Sequence, residues 1–274
     1  MSSHSATTKK VHGYAPVNGL EMYYEIEGSG DPLIYIPPVF GFAGLKSFPT
    51  LARRRSVVTM DLQGNGRTAD LPERPLSIQQ YAKDVVALLS YLGIRNADFF
   101  GESYGAATAV MIAIEHPELV RRVAAYGGTY GPPEVAHNLE MLRFEEPPTP
   151  HSRSFEYLKR KYREVAPDPD YWPKIWTKAV AIEWQGFSNE QLASIERPVL
   201  IAVGDRDFVR VEHATETFKR IPGAELAVIP DAGHFALYSE QERVIPIIEH
   251  FFEKPERRAP VATAGMGYRP GETR

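Results

Sequence analysis

The sequence predicts an α/β fold: a mostly parallel central sheet with helices on both faces, plus a small helical cap insertion. Three observations carry that reading. Short apolar runs alternate with amphipathic segments of helical period, as expected for parallel strands joined by crossover helices. The stretch Phe99-Phe100-Gly101-Glu102-Ser103-Tyr104-Gly105-Ala106-Ala107 reads as a buried strand, a sharp turn and a helix. The alternation then breaks over residues 127–197, far more chain than the dozen or so residues that a parallel crossover needs.

The elements follow in order. Residues 11–15 and 20–27 flank Asn18-Gly19, the strongest short hairpin signal. Four apolar strand candidates come next, at 33–36, 57–60, 98–100 and 123–126. Residues 77–92 place Ile78, Tyr81, Val85, Leu88, Leu89 and Leu92 close to the 3.6-residue period, with Ser77 as N-cap. The helix after Ser103 must stop near His116-Pro117, because a residue before proline is pushed out of the α region. Alternation resumes with a strand at 199–203, a helix near 212–221, a strand at 225–229 and a final helix at about 239–252. The tail 255–274 lacks periodicity and is rich in Pro, Gly, Arg and Thr, so it is expected to be disordered. The core is therefore expected at 1–130 and 193–254, with the cap at 131–192.

The cap segment has its own composition. It holds all three tryptophans, Trp172, Trp176 and Trp184, together with Pro132, Pro133, Pro147, Pro148 and Pro150. On a helix, Trp172 and Trp176 share a face with Ala179 and Val180. Two roles stay open for these rings: lining a substrate pocket, or gluing the cap to the core.

Composition excludes several function classes. The chain has 274 residues, 43% of them hydrophobic and 24% charged, with a net charge of −4 and a pI near 6.1. That balance argues against a nucleic-acid surface, and the clusters at Arg53-Arg54-Arg55, Arg121-Arg122 and Lys159-Arg160-Lys161 read as solvated faces. The absence of cysteine removes disulfides, thiolate catalysis and Cys-ligated metal. Residues 1–10 are polar and lack a signal-peptide core, and the apolar run at 106–114 is far short of the ~20 residues of a membrane helix. A cytoplasmic protein with no membrane partner is expected. A homodimer is compatible with the sequence.

Ser103 lies between Gly101 and Gly105, in a G-x-S-x-G turn. Such a turn forces the serine into a strained conformation and exposes its hydroxyl at the carboxyl edge of the sheet. A serine hydroxyl needs a positioned base, usually histidine, which a carboxylate orients in turn. In elbow-type enzymes the chain order is Ser, then acid, then His. Of the eight histidines, His213, His234 and His250 follow a suitable acid downstream of the cap. His213 falls at a helix start and His250 inside the closing helix, whereas His234 sits on a loop just after a strand. The acid lies in Gly204-Asp205-Arg206-Asp207, with Asp207 favoured because a residue further from the strand can turn toward a neighbouring loop. Glu102 precedes the serine and is expected to be aimed away, hydrogen bonding within the turn.

With these motifs assembled, the chain resembles the α/β-hydrolase fold superfamily, in its Ser-nucleophile, capped form, over residues 20–252. The resemblance rests on Asp31-Pro32-Leu33-Ile34-Tyr35-Ile36, Asp61-Leu62-Gln63-Gly64-Asn65-Gly66-Arg67-Thr68, the Ser103 turn, Gly204-Asp205-Arg206-Asp207 and Ala232-Gly233-His234. It implies a Ser103, Asp207, His234 triad and a structural turn around Asp61. One departure stands out. Family members usually carry His-Gly in the loop after the first central strand, and here Pro37-Pro38-Val39-Phe40 occupies it. Pro38 has no N–H, so the oxyanion-hole donors are expected to be the Val39 and Tyr104 amides.

The resemblance implies an esterase-like serine hydrolase with no cofactor and no metal, acting on a small-molecule ester, thioester or lactone. Phe40 and Phe42, with the three cap tryptophans, are the expected substrate-binding residues, which points to an apolar acyl or aryl group. Alternatives on the same scaffold are C–C bond hydrolysis, cofactor-free perhydrolysis, and a small-molecule receptor that retains the triad.

Overall fold

A hairpin opens the chain in the computed structural model, which describes residues 10–46, 48–138, 140–141, 149–151 and 155–255. Strands β1 (Lys10–Val17) and β2 (Leu20–Gly28) pair antiparallel around Asn18 and Gly19, whose φ values are 49° and 83°. Two consecutive positive φ angles match the right-handed twist of the flanking strands. There follow β3 (Asp31–Ile36), β4 (Arg55–Met60), β5 (Ala97–Glu102), β6 (Val120–Tyr126), β7 (Val199–Gly204) and β8 (Glu225–Ile229). The described sheet has the order β1-β2-β4-β3-β5-β6-β7-β8. β2 joins β4 antiparallel, and the pairs from β4 through β8 are all parallel.

Successive strand residues bury on opposite faces, so both need helical cover. Ile34, Phe99, Val123 and Ile201 pack on one face with α2 (Ile78–Tyr91), α3 (Tyr104–Glu115) and α8 (Val211–Arg220). Their neighbours Leu33, Phe100, Ala124 and Leu200 pack on the other with α1 (Pro49–Ala52) and the closing helix. The Ser77 hydroxyl caps α2 by accepting the Gln80 amide at 3.1 Å. The predicted final helix is α10 (Gln241–Glu253), preceded by a short helix, α9 (Ala236–Ser239), that the sequence does not predict. Glu240, at φ −144°, breaks the helical path between them.

Between β6 and β7 the described residues form α4 (Pro133–Ala136), α5 (Glu156–Val165), α6 (Trp172–Val180) and α7 (Asn189–Ala193). Pro147, Pro148 and residues 256–274 lie outside the described residues. Helix α6 is fastened to the loop after β4. Lys178 Nζ donates to both Asp70 carboxylate oxygens at 2.9 and 2.8 Å, and the Tyr171 hydroxyl donates to Asp70 at 2.8 Å. Ile175 lies over Gly64, where a Cβ would come within 2.2 Å of its side chain. One expectation fails here. Val180 does not share the buried face of Trp172 and Trp176 but is 65% exposed. Ile175 and Ala179 complete that face instead, because eight residues of 100° each carry Val180 about 80° from Trp172.

Candidate active site

β5 ends at Glu102, and Ser103 turns the chain into α3 with φ 55° and ψ −122°. That conformation is costly for a residue with a side chain. The surroundings hold it: the Ser103 amide donates to the Tyr126 carbonyl at 2.9 Å, and the Ser103 carbonyl accepts the Ala106 amide at 3.0 Å. The flanking glycines are required sterically. A Cβ on Gly101 would lie 2.3 Å from the Gly105 carbonyl oxygen, and one on Gly105 would lie 2.2 Å from that of Ile36. The turn can form because strand and helix backbones meet with nothing between them.

The loops after β7 and β8 bring Asp207 and His234 together. His234 Nδ1 and Asp207 Oδ1 are 2.9 Å apart, both side chains nearly fully buried. A carboxylate only accepts, so Nδ1 carries the hydrogen, and in the neutral imidazole Nε2 keeps a lone pair. Asp207 Oδ1 also accepts the Val209 amide at 2.9 Å. Gly127, at the end of β6 with φ 57°, makes room for the pair. β5 and β7 flank β6 in the sheet, so Ser103 and Asp207 leave strands separated by two spacings, ~10 Å. His234 and Asp207 both lie against Gly127, the residue after β6.

Asp205 does something else. Its Oδ1 accepts the Asp231 amide at 2.6 Å, fastening the acid loop to the histidine loop. The Arg206 amide donates to the Ala232 carbonyl at 3.0 Å, and the Tyr126 hydroxyl to the Gly233 carbonyl at 2.6 Å. The two aspartates of one motif thus divide the work: one carboxylate meets the imidazole, the other holds the imidazole's loop.

The loop after β3 reaches the same edge, since Ile36 pairs with Gly101. Its form is set from beneath. The Phe40 amide donates to Asn65 Oδ1 at 3.0 Å with Phe40 at φ 64°, and the Gly41 amide to the Pro38 carbonyl at 2.9 Å. Asp61 is fully buried and accepts the Ala43 and Arg67 amides at 2.5 and 2.7 Å. Burial pushes its carboxyl up to about 7 against those two donors. The Val39 and Tyr104 amides donate to no group among the described residues. Glu102 does not bond within the turn as expected. Alternation along β5 sends it away from Ser103, and its carboxylate meets Lys46 and the Tyr35 hydroxyl instead.

The aromatic residues separate into groups. Phe40 lies 4.9 Å from the Trp172 ring and stacks on Trp176 at 5.4 Å, with an interplanar angle of 8°. Phe42 is buried where a Cβ on Gly66 would meet it at 2.5 Å. Trp184 is not part of the Phe40 stack. Its indole donates to the Thr129 carbonyl at 2.8 Å, and its ring packs on Phe187.

Three residues here escape a reading of the sequence, Gly127, Lys46 and His137, and His213 has a place unlike that of a base. Phe208 lies between two imidazoles, 5.1 Å from His137 and 4.1 Å from His234. His137 pairs with the Thr129 hydroxyl at 2.8 Å, and His213 Nε2 accepts the Tyr130 amide at 3.0 Å. Burial, then repulsion from a neighbouring imidazole, pushes both down to about 4. The one sequence signal was the glycine-dense run Gly127-Gly128-Thr129-Tyr130-Gly131 after β6. Among the described residues no three His, Asp or Glu side chains gather as a metal site would, and no helix is long and apolar enough to cross a membrane.

Known proteins share this architecture. A 2-hydroxymuconate semialdehyde hydrolase of Pseudomonas putida is 25% identical over 255 residues, covering 84% of this chain and 90% of its own. A proline iminopeptidase of Saccharolobus solfataricus is 23% identical over 309 residues, covering 88% and 92%. A solved structure described as an N-acyl homoserine lactone degrading enzyme is 25% identical with a TM-score of 0.67, covering 88% of this chain and all (100%) of that one. The profile described as the Alpha/beta hydrolase family matches residues 11–247. This chain belongs to the alpha/beta hydrolase family.

Proposed function

We propose that this protein is a serine hydrolase that cleaves a small to medium, largely apolar carboxylic ester, thioester or lactone through an acyl-enzyme. The observation that carries the reading is the 2.9 Å contact between His234 Nδ1 and Asp207 Oδ1, at the sheet edge where Ser103 stands in its strained turn. Ser103 Oγ attacks the carbonyl carbon while His234 Nε2 takes the hydroxyl proton. Asp207 holds the tautomer and stabilises the imidazolium. The Val39 and Tyr104 amides receive the oxyanion, often the largest electrostatic contribution in acyl transfer. His234 then protonates the leaving alcohol or thiol, and a water it activates releases the acid and restores Ser103. The Phe40–Trp176 stack, with Trp172 tilted against it, favours an apolar acyl or aryl group near this edge.

A second reading, hydrolysis of a C–C bond in a β-diketone-like compound, draws support from the similarity to the 2-hydroxymuconate semialdehyde hydrolase. A fluorophosphonate probe, followed by a panel of aryl esters of graded acyl length, a lactone and a ring-cleavage diketone, tests both. Labelling at Ser103 alone and preferred turnover of an ester or lactone is the expected result. Labelling elsewhere, or none, overturns the serine mechanism. Preference for the diketone transfers the assignment to C–C cleavage.

A further inference from the structure

A buried ion pair lies directly behind the Ser103 turn. The side chains of Lys46 and Glu102 are 3% and 1% exposed, and their charged groups touch. The Tyr35 hydroxyl donates to Glu102 Oε2 at 2.7 Å, and Lys46 Nζ donates to that hydroxyl at 3.3 Å. On its other side, Lys46 Nζ stands 3.5 Å from the centroid of the Tyr238 ring, a cation–π contact. These residues come from separate parts of the chain. Glu102 immediately precedes Ser103, Lys46 lies on the loop after β3 that also carries Val39, and Tyr238 lies on α9, just after His234.

We propose that Lys46 is a positioning residue, whose ammonium group, seated between the Glu102 carboxylate and the Tyr238 ring, holds the nucleophile turn, the Val39 loop and the helix behind His234 in one arrangement. The inference rests on the acyl-enzyme reading. Stability alone explains the pair poorly, because apolar side chains of similar volume commonly serve as well as a buried ion pair. A cation between a carboxylate and a ring face instead fixes directions among three segments far apart in the chain. Catalysis responds to such fixing, since a misplacement on the order of 1 Å can cost about 100-fold in rate.

The arrangement also has a charge that can be switched. Burial pulls the Lys46 ammonium down from 10.5 to about 8, although Glu102 opposes the shift. The ionisable groups facing it are Glu102 on β5, Tyr35 on β3 and Tyr238 on α9, with Tyr157 of α5 acting on Tyr238. Burial raises both Tyr35 and Tyr238 well above their ordinary value, so neither ionises while Lys46 does. Loss of the Lys46 proton removes the charge from both contacts, and activity is expected to fall above pH about 8. Stability from this group moves the opposite way. Its folded value of about 8 lies below the ordinary 10.5, so the unfolded chain holds the proton longer and stability rises with pH across that window.

The test is the rate of Ser103 labelling by a fluorophosphonate, with kcat/KM for an aryl ester, from pH about 6 to about 10.5, alongside thermal melts. The wild type should lose rate near pH 8 without losing stability. Lys46→Arg should move that limb upward, since a guanidinium stays charged past about pH 12. Glu102→Gln should move it downward, because the opposing charge is gone. Lys46→Met should slow labelling about 10- to 100-fold. A limb unmoved by both charge variants, or Lys46→Met labelling at the wild-type rate, overturns the proposal. If Lys46→Arg does not fold, Glu102→Gln and the double variant Lys46→Met/Glu102→Gln decide: a downward shift in the first and a flat profile in the second support it, and an unmoved limb in either overturns it. A wild type unlabelled at Ser103 overturns the acyl-enzyme reading and the positioning role with it. Labelling at Ser103 with an unmoved limb overturns the positioning role alone.

Discussion

Gly127 lies directly against His234: a Cβ built on the glycine would stand 3.1 Å from His234 Nδ1, and equally 3.1 Å from Asp207 Oδ2. The glycine backbone is thus one wall of the imidazole–carboxylate pair, and its φ of 57° suits glycine best. Gly127→Ala is expected to lower kcat/KM about 10- to 100-fold by displacing the imidazole. It should also cost on the order of 1 kcal/mol in stability from the backbone. Steady-state kinetics beside denaturant melts separate the two; a loss of stability without loss of kcat contradicts this account.

Ser103 pays for its exposure in backbone strain, with φ 55° and ψ −122°. Ser103→Ala is expected to abolish turnover with little change in melting temperature. Ser103→Gly should abolish turnover and raise stability by roughly 1 kcal/mol or more, because glycine accepts that conformation freely. Chemical denaturation of the two variants provides the comparison.

The aspartates of the 204–207 turn should separate in kinetics. Asp207→Asn disturbs the tautomer of His234 and is expected to lower kcat on the order of 10⁴-fold. Asp205→Asn keeps an oxygen that can accept the Asp231 amide, and should cost less than tenfold, about 1 kcal/mol. If Asp205→Asn is the crippling change, the orienting carboxylate has been misassigned.

The aromatic residues predict a split between chemistry and selectivity. Trp176 stacks on Phe40, whereas Trp184 is committed to the Thr129 carbonyl. Trp176→Leu is expected to redistribute kcat/KM among acyl lengths by about 1–3 kcal/mol. Trp184→Phe should instead lower stability by about 1–3 kcal/mol through the unsatisfied carbonyl, leaving the substrate ranking unchanged. An ester series run with both variants checks the pattern.

Buried histidines set an acid limit on the fold. His213 is pushed from 6.5 down to about 4, first by burial and then by His137. The unfolded chain therefore binds a proton that the folded chain refuses between these values. Stability from His213 is present above pH about 6.5 and is lost as pH falls toward 4, by up to about 3 kcal/mol. His213→Gln retains an acceptor for the Tyr130 amide and should flatten this fall. Urea melts across the range measure it.

Much of the fold was legible because its signals are local. A hairpin needs positive φ at two residues, and Asn18-Gly19 supplies both. A parallel strand buried on both faces shows as an apolar run, and Phe99-Phe100 and Leu200-Ile201 are such runs. The paired glycines around Ser103 announce a close strand–helix approach that no side chain could share. The closing helix was legible for the same reason, whereas the four-residue α9 before it is too short to show a period.

By itself the sequence determined the hairpin, the core's alternation of strands and long helices, the turn around Ser103 and the placement of His234 on a loop, unlike His213 and His250, which fall in helices. These follow from periodicity, glycine placement and chain order, which act over a few residues. Only the tertiary structure decided that Asp205 holds the histidine loop beside the Asp207–His234 contact that the sequence already favoured, that Glu102 pairs with Lys46 across 56 residues, and that Phe40 stacks with Trp176 but not Trp184. Those choices depend on which loops converge at the sheet edge and on which buried charges must find partners. Long-range packing and desolvation settle them, and neither leaves a mark in the local sequence.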